Sequence, residues 1–308
     1  MDTRNDGNGE TLIAAGDRFD YRFTVHNRQG LYWYHPHPHG ATARQAHLGL
    51  LGLLAIEDDE ELALRRALEL VPGETEIPLV LHEWRGSAAG RYVPSPSDLR
   101  LGWYGDVPLV NFAPCPHFDV ATRRYRLRIL NAANARTFRL AFRRDDGTLL
   151  PFHLLGTDGG LLEHAVACNE AFISPAERLD VLVDFSGMAI GGFALLESGE
   201  FDPMHSVPTA TADTQTAAVS GGMSEMHAPV SGGRPAATTR VPDGAPFPVI
   251  QFRIRERREP SPPTAASPTR SGRACNRGGR CGGRRRRRTR TTAPRRGRCR
   301  PARRRRLR

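Results

Sequence analysis

Period-two alternation of apolar and polar residues recurs along this chain, and no other feature restricts its fold as strongly. Tyr125, Leu127 and Ile129 alternate with Arg124, Arg126 and Arg128, and Val181, Val183 and Phe185 alternate with less apolar neighbours. Nearer the start, Phe19, Tyr21, Phe23 and Val25 share one face of a run whose other face is Asp20, Arg22, Thr24 and His26. Successive side chains on a strand point to opposite faces, so each run predicts a half-buried strand, the earliest over Asp17–His26. Clusters of Gly, Pro, Asn and Asp separate the runs as turns do. Residues 77–200 therefore predict a complete β-sandwich, opened by Ile77-Pro78-Leu79-Val80-Leu81. Residues 1–58 hold too few strands to close a sandwich alone and read as the second half of a domain. Ala41–His47 predicts a short helix and Leu50–Glu57 a strand. Leucines set among charges predict a helix over Asp58–Leu70, ended by Val71-Pro72-Gly73, and residues 59–76 read as a connector.

The chemistry concentrates in Leu31-Tyr32-Trp33-Tyr34-His35-Pro36-His37-Pro38-His39-Gly40. On a strand Trp33, His35, His37 and His39 share a face, with neighbouring imidazoles roughly 6–7 Å apart. That spacing suits two histidines each holding a different ion of a close pair. The intervening prolines lack an N–H and cannot be fully paired in a sheet, so the segment belongs at a rim beside a cleft.

After the histidines come Thr42-Ala43-Arg44-Gln45 and then Gly49-Leu50-Leu51-Gly52-Leu53-Leu54-Ala55-Ile56-Glu57-Asp58. The whole stretch resembles the second copper motif of the multicopper oxidases, in the bacterial branch with cuprous and bilirubin-type oxidases. The resemblance implies an all-β chain of cupredoxin-like Greek-key sandwiches, one partial and one complete. It implies copper as cofactor, with His35 and His37 as type 3 copper ligands and with His39 and Trp33 beside the metal without ligating it. Further on, Gly105-Asp106-Val107-Pro108-Leu109-Val110-Asn111, the run Tyr125–Arg136, Gly156-Thr157-Asp158-Gly159-Gly160 and Pro175–Phe185 resemble the family's second domain, which carries no copper. His117, His153 and His164 accordingly read as structural. Pro248–Ile254 resembles the start of a third domain, assigned to residues 248–258.

The net charge of +11 misleads. Nineteen arginines and no acidic residue lie between Pro260 and Arg308, leaving residues 1–259 with 25 arginines against 33 carboxylates. The basicity belongs to residues 259–308, a composition that cannot bury a core and predicts a disordered tail. Residues 201–247, rich in Ala, Thr, Gly, Ser and Pro, predict a flexible linker in which Met204-His205 and Met223–His227 are chance pairs. Cys115, Cys168, Cys275, Cys281 and Cys299 lack zinc-ribbon or thioredoxin spacing. The polar opening Met1–Asp6 does not read as a signal peptide, although the family is usually periplasmic or extracellular. The apolar run Leu48–Ile56 is too short for a membrane helix.

In the family, one-electron oxidation of a phenolic, pigment or metal-ion substrate is coupled to reduction of dioxygen to water. Such chemistry needs a type 1 Cys and further His pairs, neither of which this sequence supplies. The expectation is therefore a truncated, inactive form, with the first copper motif lying upstream of Met1 and the tail translated out of frame. The alternative is a non-catalytic cupredoxin scaffold or interaction protein whose basic tail binds RNA or another polyanion. That tail is the one part suited to nucleic acid, and no segment suits a membrane.

Overall fold

The computed structural model describes residues 12–86, 94–96, 98, 102–203 and 241–256. The chain divides into two units, residues 1–257 and 258–308. The second unit, with the arginine-rich tail, lies outside the described residues, as do the Met–His pairs of the linker.

Elements in chain order begin with strand β1 (Gly30–Tyr34), helix α1 (Thr42–His47), β2 (Gly52–Ile56) and helix α2 (Asp59–Ala67). Next come β3 (Glu76–Trp84), β4 (Val107–Val110), β5 (Ala113–Pro114), β6 (His117–Ala121), β7 (Arg124–Asn131) and β8 (Phe138–Arg144). The remainder are β9 (Leu149–Leu150), β10 (Phe152–Thr157), β11 (Gly160–Cys168), β12 (Glu170–Ile173), β13 (Arg178–Asp184), β14 (Phe193–Ser198) and β15 (Phe247–Arg255). A seven-stranded sheet runs in the order β11-β10-β13-β7-β3-β4-β5, and a second sheet in the order β12-β8-β14-β15-β6. β3 lies parallel to β7 and β15 parallel to β6, while the other pairings are antiparallel.

The alternation read from sequence builds the core between these sheets. Leu127 and Ile129 of β7 and Val181 and Val183 of β13 meet Phe138, Leu140 and Phe142 of β8, and all are buried. Burying such side chains stabilises by about 1.5–3 kcal/mol each, which makes this interface the main source of stability. The β1–β2 ribbon packs outside that core, with Leu31 against Val80, Leu130 and Ala132 on the outer face of the seven-stranded sheet. Gly160 allows the approach: a Cβ there would sit 2.4 Å from the Gln29 carbonyl oxygen.

Three expectations need correction. Pro248–Ile254, read as the opening of a third domain over residues 248–258, instead lies within β15, hydrogen-bonded between β14 and β6. Val249, Ile250, Phe252 and Ile254 are buried in the same core, because that sheet offers two free edges and an apolar slot to a strand of matching pattern. Asp17–His26 forms no strand; Phe19, Tyr21, Phe23 and Val25 are 38–52% exposed. Alternation creates a face to bury, and no sheet edge among the described residues receives it.

The third concerns Arg126 and Arg128, placed by alternation on a polar face. That face is covered, and they are 0% and 3% exposed. Helix α2 lies over it and lowers Glu61 between them. Glu61 accepts from Arg126 at 2.5 and 3.0 Å and from Arg128, and Asp180 accepts from Arg126 at 2.7 and 2.5 Å. Arg65 reaches Glu76 at 3.0 Å through two donors. Burial pushes the Asp180 carboxyl up despite its arginines. Glu76 is also pushed up by burial, but Arg65, Arg128 and Arg126 outweigh it and hold Glu76 below its ordinary range. The helix starts as its sequence dictates: the Asp58 side chain accepts from the Glu61 N–H at 3.0 Å, and acidic residues fill the first turn and arginines the last.

Candidate metal centre

β1 ends at Tyr34, immediately before the histidines. Pro36 and Pro38 withdraw two backbone donors, and the chain leaves the ladder there, turning into α1 through Thr42, whose hydroxyl donates to the Pro38 carbonyl at 3.0 Å. The Trp33 ring stacks on His35 with centroids 4.5 Å apart and planes at 24°. The His35 and His37 rings lie 5.8 Å apart, and those of His37 and His39 6.2 Å. His35 is half-buried, whereas His37 and His39 are exposed.

His35 Nδ1 lies 3.0 Å from the Pro36 carbonyl oxygen. A proton on Nδ1 donated to that carbonyl leaves Nε2 with its lone pair outward, the arrangement usual for a metal-binding imidazole. Among the described residues no three His, Cys, Asp or Glu side chains converge on one point. The pair therefore offers two imidazole rings side by side, a partial donor set of a type suited to copper. His117, His153 and His164 lie exposed on β6, β10 and β11, apart from one another in the sheets.

A second group of aromatic and imidazole rings was not apparent from spacing. His47, at the end of α1, is 1% exposed. Its ring stacks on Trp84 at 4.8 Å and 12°, its Nδ1 accepts from the Trp103 indole N–H at 3.1 Å, and its Nε2 donates to the Arg85 carbonyl at 3.0 Å. His82, on β3, donates from Nε2 to the Ala46 carbonyl at 3.1 Å. His47 is far in sequence from His82, Trp84 and Trp103, so the one available signal was its place on a short helix beside an apolar run. Desolvation, then the neighbouring His82, lowers the His47 pKa from 6.5 to about 4, and burial also lowers that of His82.

Stability should therefore depend on pH in a definite direction. The unfolded chain protonates His47 below pH 6.5 while the folded chain keeps it neutral down to about pH 4. This contribution is complete above pH 6.5 and is lost as the pH falls towards 4. Denaturation at pH 7 and pH 5 should differ by on the order of 1–2 kcal/mol from this group. His47→Gln should remove that difference, and an unchanged pH slope in the variant would contradict the assignment.

Two packed sheets, a ribbon whose first strand runs into His-Pro-His-Pro-His and whose second leads to Glu57-Asp58 define the class: a cupredoxin-type chain with a histidine-rich rim. This chain matches the multicopper oxidase family model over residues 2–61, and the cofactor of that family is copper. It is 38% identical over 186 residues to the bilirubin oxidase of Albifimbria verrucaria, covering 60% of this chain and 32% of that one. To the laccase of Bacillus subtilis it is 32% identical over 177 residues, 54% and 33% of the two chains. The structure of the McoA multicopper oxidase from the hyperthermophile Aquifex aeolicus superimposes with a TM-score of 0.61 and 33% identity, over 77% of this chain and 44% of that one. The chain thus spans about a third of the length of these curated relatives.

Proposed function

We propose that His35 and His37 bind copper as the type 3 pair of an oxidase cluster, and that this polypeptide by itself does not turn over. The observation that carries the reading is the adjacent imidazole pair at the end of β1, with His35 stacked on Trp33 and its Nδ1 held by the Pro36 carbonyl. Bound copper would accept single electrons from a reducing substrate and pass them to dioxygen. The chain's own part is to fix the His35 ring by stacking, hold its proton on Nδ1 and present both rings at an open rim. His39 and Trp33 frame the pair without ligating.

Reduction of dioxygen to water takes four electrons, and this sequence holds no His-Cys-His segment to deliver them. The reducing substrate would be a small molecule or a metal ion, its identity set by a type 1 site that these residues do not build. The family's laccase and bilirubin oxidase members support the oxidoreductase class.

Cu(II) titration of the metal-free chain tests this reading. His35→Ala and His37→Ala should each weaken uptake by about tenfold or more, the scale on which even supporting residues of a metal site act. His117→Ala and His164→Ala should leave uptake unchanged. Undiminished uptake in the His35→Ala/His37→Ala double variant would refute the site. Oxygen consumption surviving dialysis, and lost in that variant, would refute the inactivity.

A further inference from the structure

The ribbon that leads into the histidine pair is a separate sheet of only two strands, β1 and β2. Its apolar seat is small: Leu31 against Val80, Leu130 and Ala132, with Trp33, Leu51 and Leu53 packed beside them. Apolar contact is non-directional and by itself lets a ribbon tilt or slide. A directional bond is needed to fix where β1 points when it releases His35.

One side chain of the sandwich supplies it. Arg178, the first residue of β13, donates from Nε to the Leu31 carbonyl at 3.1 Å, four residues before His35. Its Nη1 donates to the Ala176 carbonyl at 2.9 Å and lies 3.1 Å from Asp158 Oδ1, and its Nη2 donates to the Asp158 carbonyl at 3.2 Å. The guanidinium carbon lies over the Tyr32 ring, 5.8 Å from its centroid. The side chain is only 14% exposed. A guanidinium is a rigid planar fork, so seating one edge on residues 158 and 176 aims the remaining N–H at β1.

The chain around Arg178 is built to present it. Ala176 has a φ of 72°, a left-handed conformation uncommon for an L-residue, and its carbonyl is one that Arg178 takes. The Ala176 N–H donates to the Asn131 carbonyl at 2.8 Å, and the Glu177 N–H to the Ser174 carbonyl at 3.0 Å. The Arg178 N–H donates to Asp158 Oδ1 at 2.7 Å. Opposite, the β10–β11 turn touches the start of β1, where a Cβ on Gly30 would come within 3.0 Å of the Gly160 Cα. Strain persists where the surroundings over-determine a conformation, and here they do so around one arginine. Leu31 lies outside the sandwich core, so the bond to its carbonyl serves the ribbon.

We propose that Arg178 is a positioning residue for the copper pair: by holding the Leu31 carbonyl it fixes the direction in which His35 and His37 leave the sheet. The role at copper rests on the reading of that pair given above, whereas the anchor itself has a metal-free readout. Without the bond β1 frays from its start, the Trp33–His35 stack loosens, and a metal ion must order both rings as it binds.

The test compares the full chain with Arg178→Ala, Arg178→Lys and Arg144→Ala, the last altering an arginine that donates within its own hairpin to Thr148 and Leu149. In the metal-free proteins, amide hydrogen exchange of β1 should be about tenfold faster in Arg178→Ala, with β7 unchanged. Cu(II) should bind that variant about tenfold more weakly, with a broadened electron paramagnetic resonance spectrum. Arg178→Lys, which keeps a charged donor, should recover most of both effects, and Arg144→Ala should show neither. Unchanged β1 exchange in Arg178→Ala, or exchange raised equally in β7, would overturn the anchor. Loosened β1 with undiminished copper affinity and an unchanged spectrum would overturn the role at copper. Undiminished uptake in the His35→Ala/His37→Ala double variant would instead refute the copper reading and, with it, this residue's role there, while the exchange result would still decide the anchor.

Discussion

Glu61→Ala should lower the stability of this chain by about 3–5 kcal/mol, the scale for removing one partner of a buried ion pair. Glu61 is fully buried under α2, where it is the shared acceptor for Arg126 and Arg128. Its removal leaves two guanidiniums on the outer face of β7 with fewer acceptors. Asp180 still pairs with Arg126 at 2.5 Å, and Glu76 lies 3.4 Å from Arg128, too far to replace the lost bonds. Solvent cannot compensate without lifting α2 off the sheet. Glu61→Gln, which retains the shape and one acceptor, should cost less than the alanine variant. Urea denaturation followed by circular dichroism measures both. A Glu61→Ala midpoint within error of the parent would mean that the helix does not seal this face.

Phe252→Ala should cost a similar amount, about 3–5 kcal/mol, as large-to-small changes in packed cores do. Phe252 is 0% exposed, with ring centroids 5.4 Å from Phe185 and 5.9 Å from Phe142. Phe142 belongs to β8 in the second sheet, and Phe185 directly follows β13 of the first, so the cavity would open at the centre of the sandwich. Arg253→Ala, one residue on and on the other face, should change stability by no more than about 0.5 kcal/mol. The pair of variants distinguishes two positions for residues 247–255. A strand opening a separate domain would leave the sandwich unaffected by Phe252→Ala, whereas β15 as an interior strand of the second sheet would not.

Much of the fold was legible because strands carry their environment in their period. Tyr125, Leu127 and Ile129 announce a buried face, and they are buried. The start of α2 was readable because its cap acts within a few residues: Asp58 needs only the Glu61 N–H. The rings of His-Pro-His-Pro-His lie 5.8 and 6.2 Å apart, near the spacing expected on a strand, although β1 ends at Tyr34.

The residues that misled were those whose second face depends on a distant neighbour. The arginines of β7 look solvent-facing until Glu61 of α2, 65 residues before Arg126, is laid on them. Phe19 to Val25 look half-buried and are exposed because burial needs a partner sheet as well as a pattern.

The amino-acid sequence alone determined that this chain is mostly β, that a histidine pair lies at the end of a strand, that it resembles the copper oxidases, and that its composition beyond residue 259 is unsuited to a core. These rest on local periodicity, turn chemistry and composition, which act over a few residues. Only the tertiary structure decided that β15 belongs to the central sandwich, that Glu61 is a buried anion, and that His47, His82, Trp84 and Phe112 gather around one cleft. Each of those depends on which surfaces meet, a choice made by the packing energy of whole sheets and helices rather than by any short run of residues.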